Sequence, residues 1–153
     1  MIKKIISGGQ TGADRAALDL AIKLKMPHGG WCPRGRLAED GMIDGSYNLT
    51  ETPSEDSALR TEWNVRDSDG TVIFSISPDL SGGSAKTEMF ARQYGKPCLH
   101  LSQERDGTRS VEFLSRFLAD NKIEILNVAG PRRSERAEVA EFVSEILKGV
   151  LLP

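Results

Sequence analysis

Cysteine is scarce, with two in 153 residues, Cys32 and Cys98. They share no metal-binding spacing and cannot staple a disulfide scaffold. No signal-peptide pattern opens the sequence. Together these predict reduced thiols in a cytoplasmic protein. No apolar run reaches the length of a membrane span. Strong charge of one sign is also missing: the formal net charge is -2. That argues against a surface built for duplex nucleic acid or anionic lipid, though not against a local basic pocket. Internal repeats and low-complexity linkers are absent, so the length predicts one domain over residues 1–153.

What is present is alternation. Ile2 to Ile6 reads as a strand, and Ala13, Ala16, Ala17, Leu20, Ala21 and Leu24 recur at helical spacing. His28 to Cys32 reads as a short strand. Ser54 reads as the N-cap of a helix reaching about Asp67. Further strands are expected over Thr71–Ser75, Pro97–Leu101 and Glu124–Val128. Helices are expected over Ser84–Tyr94, Val111–Ala119 and Glu135–Lys148. Such alternation predicts an α/β domain: an open, mostly parallel sheet with helices on both faces. The stretch from Pro33 to Pro53 has no clear period. A loop that long in a small domain is usually functional or mobile.

In a parallel open sheet the loops leaving the carboxyl ends of the strands share one edge, where ligands bind. Three of them are unusual: "SGGQTGADR" (7–15), "DLSGGSAKTE" (79–88) and "NVAGPRRSE" (127–135). Each falls between a strand and a helix. Glycine lets backbone N–H groups approach a ligand, and helix N-termini favour anions. The three loops therefore predict one composite anion site. Thr11 and Asp14 also match a capping box, a purely structural role. Arg15 opposes its helix dipole unless it faces an anion or pairs with Asp14.

Two nucleotide motifs fail. "GGSAKT" lacks both P-loop glycines, with Leu80 and Ala85 in their places, and "GGQTG" has the wrong spacing for a dinucleotide fingerprint. No Ser-His-Asp, Cys-His or metal-ligand cluster offers a catalytic mechanism.

The segments "SGGQTGADRAALDLA", "GGWCPRGRLAEDGMI", "RTEWNVRDSDGTVIF", "GGSAKTEMFARQYGKPCL" and "LNVAGPRRS" resemble, in order, successive blocks of a molybdenum-carrier family. That family is similar to the molybdenum-cofactor carrier proteins and sits in a Rossmann-like superfamily with the lysine-decarboxylase-like phosphoribohydrolases. The resemblance implies a Rossmann-like fold and a small anionic ligand: molybdenum cofactor (molybdopterin), or otherwise a nucleotide-like or phosphate-bearing anion. By position it implies ligand contacts from Gly8, Gly9, Gln10, Thr11, Gly12, Asp14 and Arg15, then from Gly82, Gly83, Ser84 and Thr87, then from Asn127, Gly130 and Arg132. Pro131 belongs to the same third block. It further implies a homo-oligomer, a dimer or tetramer, with molybdoenzymes or cofactor-synthesis proteins as partners. One departure stands out: "ERAEVAEF" follows the last block, where relatives often carry a glycine- or proline-containing aromatic segment.

Arg34 and Arg36 reach an anion if the 33–53 loop folds over the sheet edge, and are solvated charges otherwise. Glu39 and Asp40 are available to hold them. Arg60 and Asn64 share a helical face, with surface exposure as the default reading. Tyr47 is either a stacking platform or an anchor. Cys98 and His100 fall on one side of a strand but do not make a zinc site. The enzyme alternative is a phosphoribohydrolase-like reaction with Glu88 as acid or base. The P-G-G-x-G-T-x-x-E signature of those enzymes is incomplete here, so binding is favoured over catalysis.

Overall fold

The computed structural model describes residues 1–152. The chain runs β1 (Lys4–Ile6), α1 (Ala13–Lys23), β2 (His28–Gly29), β3 (Trp31–Cys32), β4 (Leu37–Ala38), β5 (Gly41–Met42), β6 (Thr50–Glu51), α2 (Ser57–Arg66), β7 (Gly70–Ser75) and α3 (Gly82–Gln93). It continues with β8 (Cys98–Ser102), a short α4 (Gln103–Asp106), a 3₁₀ turn (Gly107–Arg109), α5 (Ser110–Asp120), β9 (Ile125–Ala129) and α6 (Val139–Leu151).

The central sheet has five strands in the order β2-β1-β9-β7-β8, and every pair in it is parallel. Helices α1, α5 and α6 pack together on one face, and α2 and α3 pack against each other on the other. This is the expected Rossmann-like α/β architecture. β7 is buried along its whole length, as a strand covered on both faces must be. The core between sheet and helices holds Ile5, Val72, Phe74, Leu101, Leu126, Val128, Phe142, Val143 and Ile146. The Phe74 and Phe142 rings meet edge to face, with centroids 5.5 Å apart. Each large apolar side chain buried there contributes about 1.5–3 kcal/mol.

Several boundaries differ from the sequence expectations for local reasons. α2 is capped by Asp56, whose carboxylate accepts the Ala58 N–H at 2.9 Å. Ser54 instead accepts the Asp56 N–H and so shapes the approach. α6 starts at Val139 rather than Glu135, because Arg133 and Ser134 are drawn across the sheet edge by bonds to Thr11 of the first loop and to Glu39 of the 33–53 segment. The 33–53 segment is a tied strap: β4 and β5 form a small hairpin, and β6 pairs with β3.

The chain order dictates where a ligand can bind. β9 lies between β1 and β7. From β1 the chain crosses by α1 to β2 on one side, and from β7 it crosses by α3, on the opposite face, to β8 on the other. The carboxyl ends of β1, β9 and β7 therefore flank a topological switch point, the place where open α/β sheets leave a crevice.

Candidate functional site

A cleft of about 60 Å³ opens at that switch point. Gly8 after β1, Asp14 of α1, Asn127 to Gly130 at the end of β9, and Gly83, Ser84 and Thr87 of α3 line it. All three predicted loops thus contribute. The remaining wall comes from α2: Arg60, Thr61 and Asn64.

The polar groups of the cleft are held by specific bonds. Arg60 donates from Nη1 to the Gly8 carbonyl at 2.9 Å, and the same nitrogen lies 3.7 Å from Asp14 Oδ2. Both side chains are close to nine-tenths buried. Asp14 Oδ2 accepts the Gln10 N–H at 3.3 Å. Burial pushes the Asp14 carboxyl up to about 6, against the pull of the Arg60 guanidinium. Asn127 donates its amide to Thr71 Oγ1 at 3.1 Å. Thr87 donates to the Gly83 carbonyl at 3.0 Å. Asn64 clasps the Trp31 backbone, accepting its N–H and donating to its carbonyl. No side chain caps α3, and a Cβ on Gly83 would meet nothing within 4 Å. The start of α3 is thus open and uncapped, and Gly83 borders the same cleft as the Arg60 guanidinium. Ser84 also borders a second cleft of about 340 Å³, between residues 75–81 and Pro131, Glu135 and Arg136.

The other predicted contacts lie elsewhere. At the start of α1, Ala13 N–H donates to the Pro131 carbonyl, and a Cβ on Gly12 would sit 2.5 Å from that oxygen. This helix end is occupied by the third loop. Beside it, Glu39 accepts from Thr11 Oγ1 and from both N–H and Oγ of Ser134, with Arg132 3.7 Å away. Those bonds hold the Glu39 carboxyl below its usual range. The strap carboxylate thus fills the place beside Arg132 where the loops alone would put an anion. Gln10 Oε1 accepts the N–H groups of Thr11 and Glu39. Arg15 pairs with Asp40 and donates to the Gly9 carbonyl. A Cβ on Gly9 would press on Leu49. Gly82, at the start of α3, has φ 53°.

Arg36 is consumed within its own loop, donating to the carbonyls of Ile43, Asp44, Tyr47 and Leu49. Arg34 is exposed, with a 3.6 Å pair to Glu55. Tyr47 anchors the strap through its hydroxyl to Asp19. Glu88 is outside the cleft lining and pairs with Arg92 at 3.5 Å. His100 bonds to Ser75 Oγ at 2.6 Å, while burial pushes the Cys98 thiol up to about 11. Among the described residues, no group of three or more His, Cys, Asp or Glu could hold a metal.

A model of the circularly permutated YpsA SLOG family matches residues 5–151. The chain belongs to that family. A SLOG-family relationship agrees with one solved structure, from Syntrophus aciditrophicus SB, described as that of a "putative molybdenum carrier protein". It is 50% identical, covers 98% of this chain and 95% of its own, and superposes with a TM-score of 0.96. No curated protein matches the chain. No helix among the described residues is long and apolar enough to cross a membrane.

Proposed function

We propose that this SLOG-family chain is a carrier that holds a small anionic ligand at the switch-point cleft, with molybdenum cofactor as its cargo. The observation that carries the reading is Arg60, a buried guanidinium set beside the uncapped N-terminus of α3. Both favour negative charge, and the guanidinium is largely shielded from competing water. The name of the 50%-identical neighbour supplies the cargo. The two adjoining clefts fit its outline: the smaller accommodates a phosphate or oxyanion, and the larger, reached past Ser84, has room for a ring system. In this reading Gly8, Gly83, Ser84, Thr87, Asn127 and Gly130 are first contacts from the predicted set, and Arg60 joins them. The Arg132 region closes the loops rather than touching the ligand. A hydrolase role for Glu88 draws no support from its position outside the cleft.

The test is mass spectrometry of ligand released from protein purified under native conditions, with elemental analysis for molybdenum. A phosphorylated pterin together with molybdenum is the expected result. A different co-purifying anion would keep the site and change the cargo. Arg60→Ala should lose the co-purifying species, because one charge-assisted hydrogen bond is worth about 1.5–3 kcal/mol. Retention of the ligand by that variant would move the site elsewhere.

A further inference from the structure

We propose that the switch-point cleft selects oxyanions that carry a proton, taking hydrogen phosphate and rejecting sulfate, and that Asp14 is the residue that discriminates. This rests on the anion-binding reading above, with a phosphate monoester, whose second pKa is about 6, bound as the monoanion that keeps one P–OH.

The cleft mixes two kinds of group at close range. The guanidinium of Arg60 and the start of α3 donate. Asp14, 3.7 Å from Arg60, together with Asn127 and Thr87, accepts. Asp14 presents a carboxylate, and its residue is 7% exposed. Asn127, 3% exposed, gives its amide N–H to Thr71. Its carbonyl oxygen has no protein donor among the described residues. Thr87, also 3% exposed, gives its hydroxyl proton to the Gly83 carbonyl and has only lone pairs left. Asp14 and Thr87 can thus receive hydrogen bonds from a ligand and, in these bonding patterns, offer none, while Asn127 keeps its carbonyl oxygen and one amide N–H.

A fully deprotonated oxyanion satisfies the donors and clashes electrostatically with the Asp14 carboxylate. Buried acceptors left without donors, and a carboxylate set against a second anion, both weigh against binding. Hydrogen phosphate resolves the conflict, because its anionic oxygens face Arg60 and α3 while its P–OH donates to Asp14. Sulfate has no such proton. The cleft's 60 Å³ suits a small tetrahedral ion of either kind, so the proton and not the size separates phosphate from sulfate.

Protonation of Asp14 should relax the selection. The charged groups that face it are Arg60 from α2 and Arg15 from its own helix, and burial opposes both. Ionised at neutral pH, the carboxyl demands a donor. Protonated below its pKa of about 6, it becomes a donor itself and can serve sulfate.

Calorimetric titration of the intact protein with sodium phosphate and sodium sulfate, at matched ionic strength, tests this. At about pH 7.5 phosphate should bind at least roughly tenfold more tightly than sulfate, the effect of one unpaired buried group. At about pH 5 the ratio should shrink as the carboxyl protonates. Asp14→Asn should remove the preference at both pH values, since its amide can donate to either ion. The wild-type pH comparison stands by itself if that variant folds poorly. Equal binding of the two ions to the wild-type protein at about pH 7.5 overturns the role of Asp14 and leaves the anion site intact. Binding of neither ion overturns both.

Discussion

At the scale of single residues, the decisive element of the candidate site is a conflict between burial and charge. Asp14 is ionisable, nearly enclosed, and compensated chiefly by the Arg60 guanidinium, which also binds a carbonyl, with Arg15 as a weaker second charge. Its carboxyl is raised from 3.8 to about 6. A folded-state pKa above the unfolded one means that the native state binds the proton more tightly. The associated stability is fully present below about pH 3.8 and lost as pH rises through about 6. The difference corresponds to roughly 3 kcal/mol at most. Asp14→Asn cannot ionise, so the variant should gain stability relative to wild type between about pH 5 and pH 7.5. Urea melts of the two proteins at both pH values measure this directly, and a constant gap would show that the site tolerates the charge. Arg60 and Asn64 show why part of the site was hidden in the sequence. Their spacing puts them on one helical face, but a polar face is normally a solvent face. Only the packing of α2 against α3 turns that face inward, towards a glycine 52 positions earlier in the chain.

At the scale of elements, glycines that look alike in the sequence separate into two kinds. Gly12 has φ 80°, and the third loop lies against it: a Cβ there would sit 2.5 Å from the Pro131 oxygen and 2.8 Å from Arg133 N. It joins two loops. Gly83 has open space where a side chain would project, beside the candidate anion position. Gly12→Ala should therefore lower the melting temperature, by an amount matching at least about 1 kcal/mol of strain. Gly83→Val should leave folding nearly intact and weaken anion binding. Paired thermal melts and calorimetry distinguish the two, and a binding loss for Gly83→Val no larger than its stability loss would count against the anion position. The strap between residues 33 and 53 was the least legible element. Its order comes from Arg36 reaching four carbonyls, from Glu39 and Asp40 reaching other loops, and from Tyr47 reaching α1. None of these contacts has a periodic signature. The main strands and helices, in contrast, were readable because burial on two faces leaves apolar runs such as "TVIFSI", and helices end at glycines such as Gly95. Boundary errors fell where a nearby polar residue took over the cap, as Asp56 did from Ser54.

At the scale of the whole molecule, both helical layers rest on one sheet, and a buried cluster ties β1, β7, β8 and β9 of that sheet to α1, α5 and α6. We expect the 153 residues to unfold as one unit. Near- and far-ultraviolet circular dichroism should then report coincident transitions in denaturant, and separated midpoints would divide the chain into two independent parts. The position of β9 carries a consequence for biosynthesis. This strand bridges β1 and β7, and it is synthesised after every other strand of the central sheet. Until residues 125–129 have left the ribosome, the β1–β2 pair and the β7–β8 pair have no strand to join them. The nascent chain must hold two half-sheets with unpaired edges, and pairing β1 with β9 closes a loop of more than a hundred residues, an entropically slow step. Completion of the sheet is in that sense deferred until β9 emerges, and the interval before it appears is when chaperones have the most to shield.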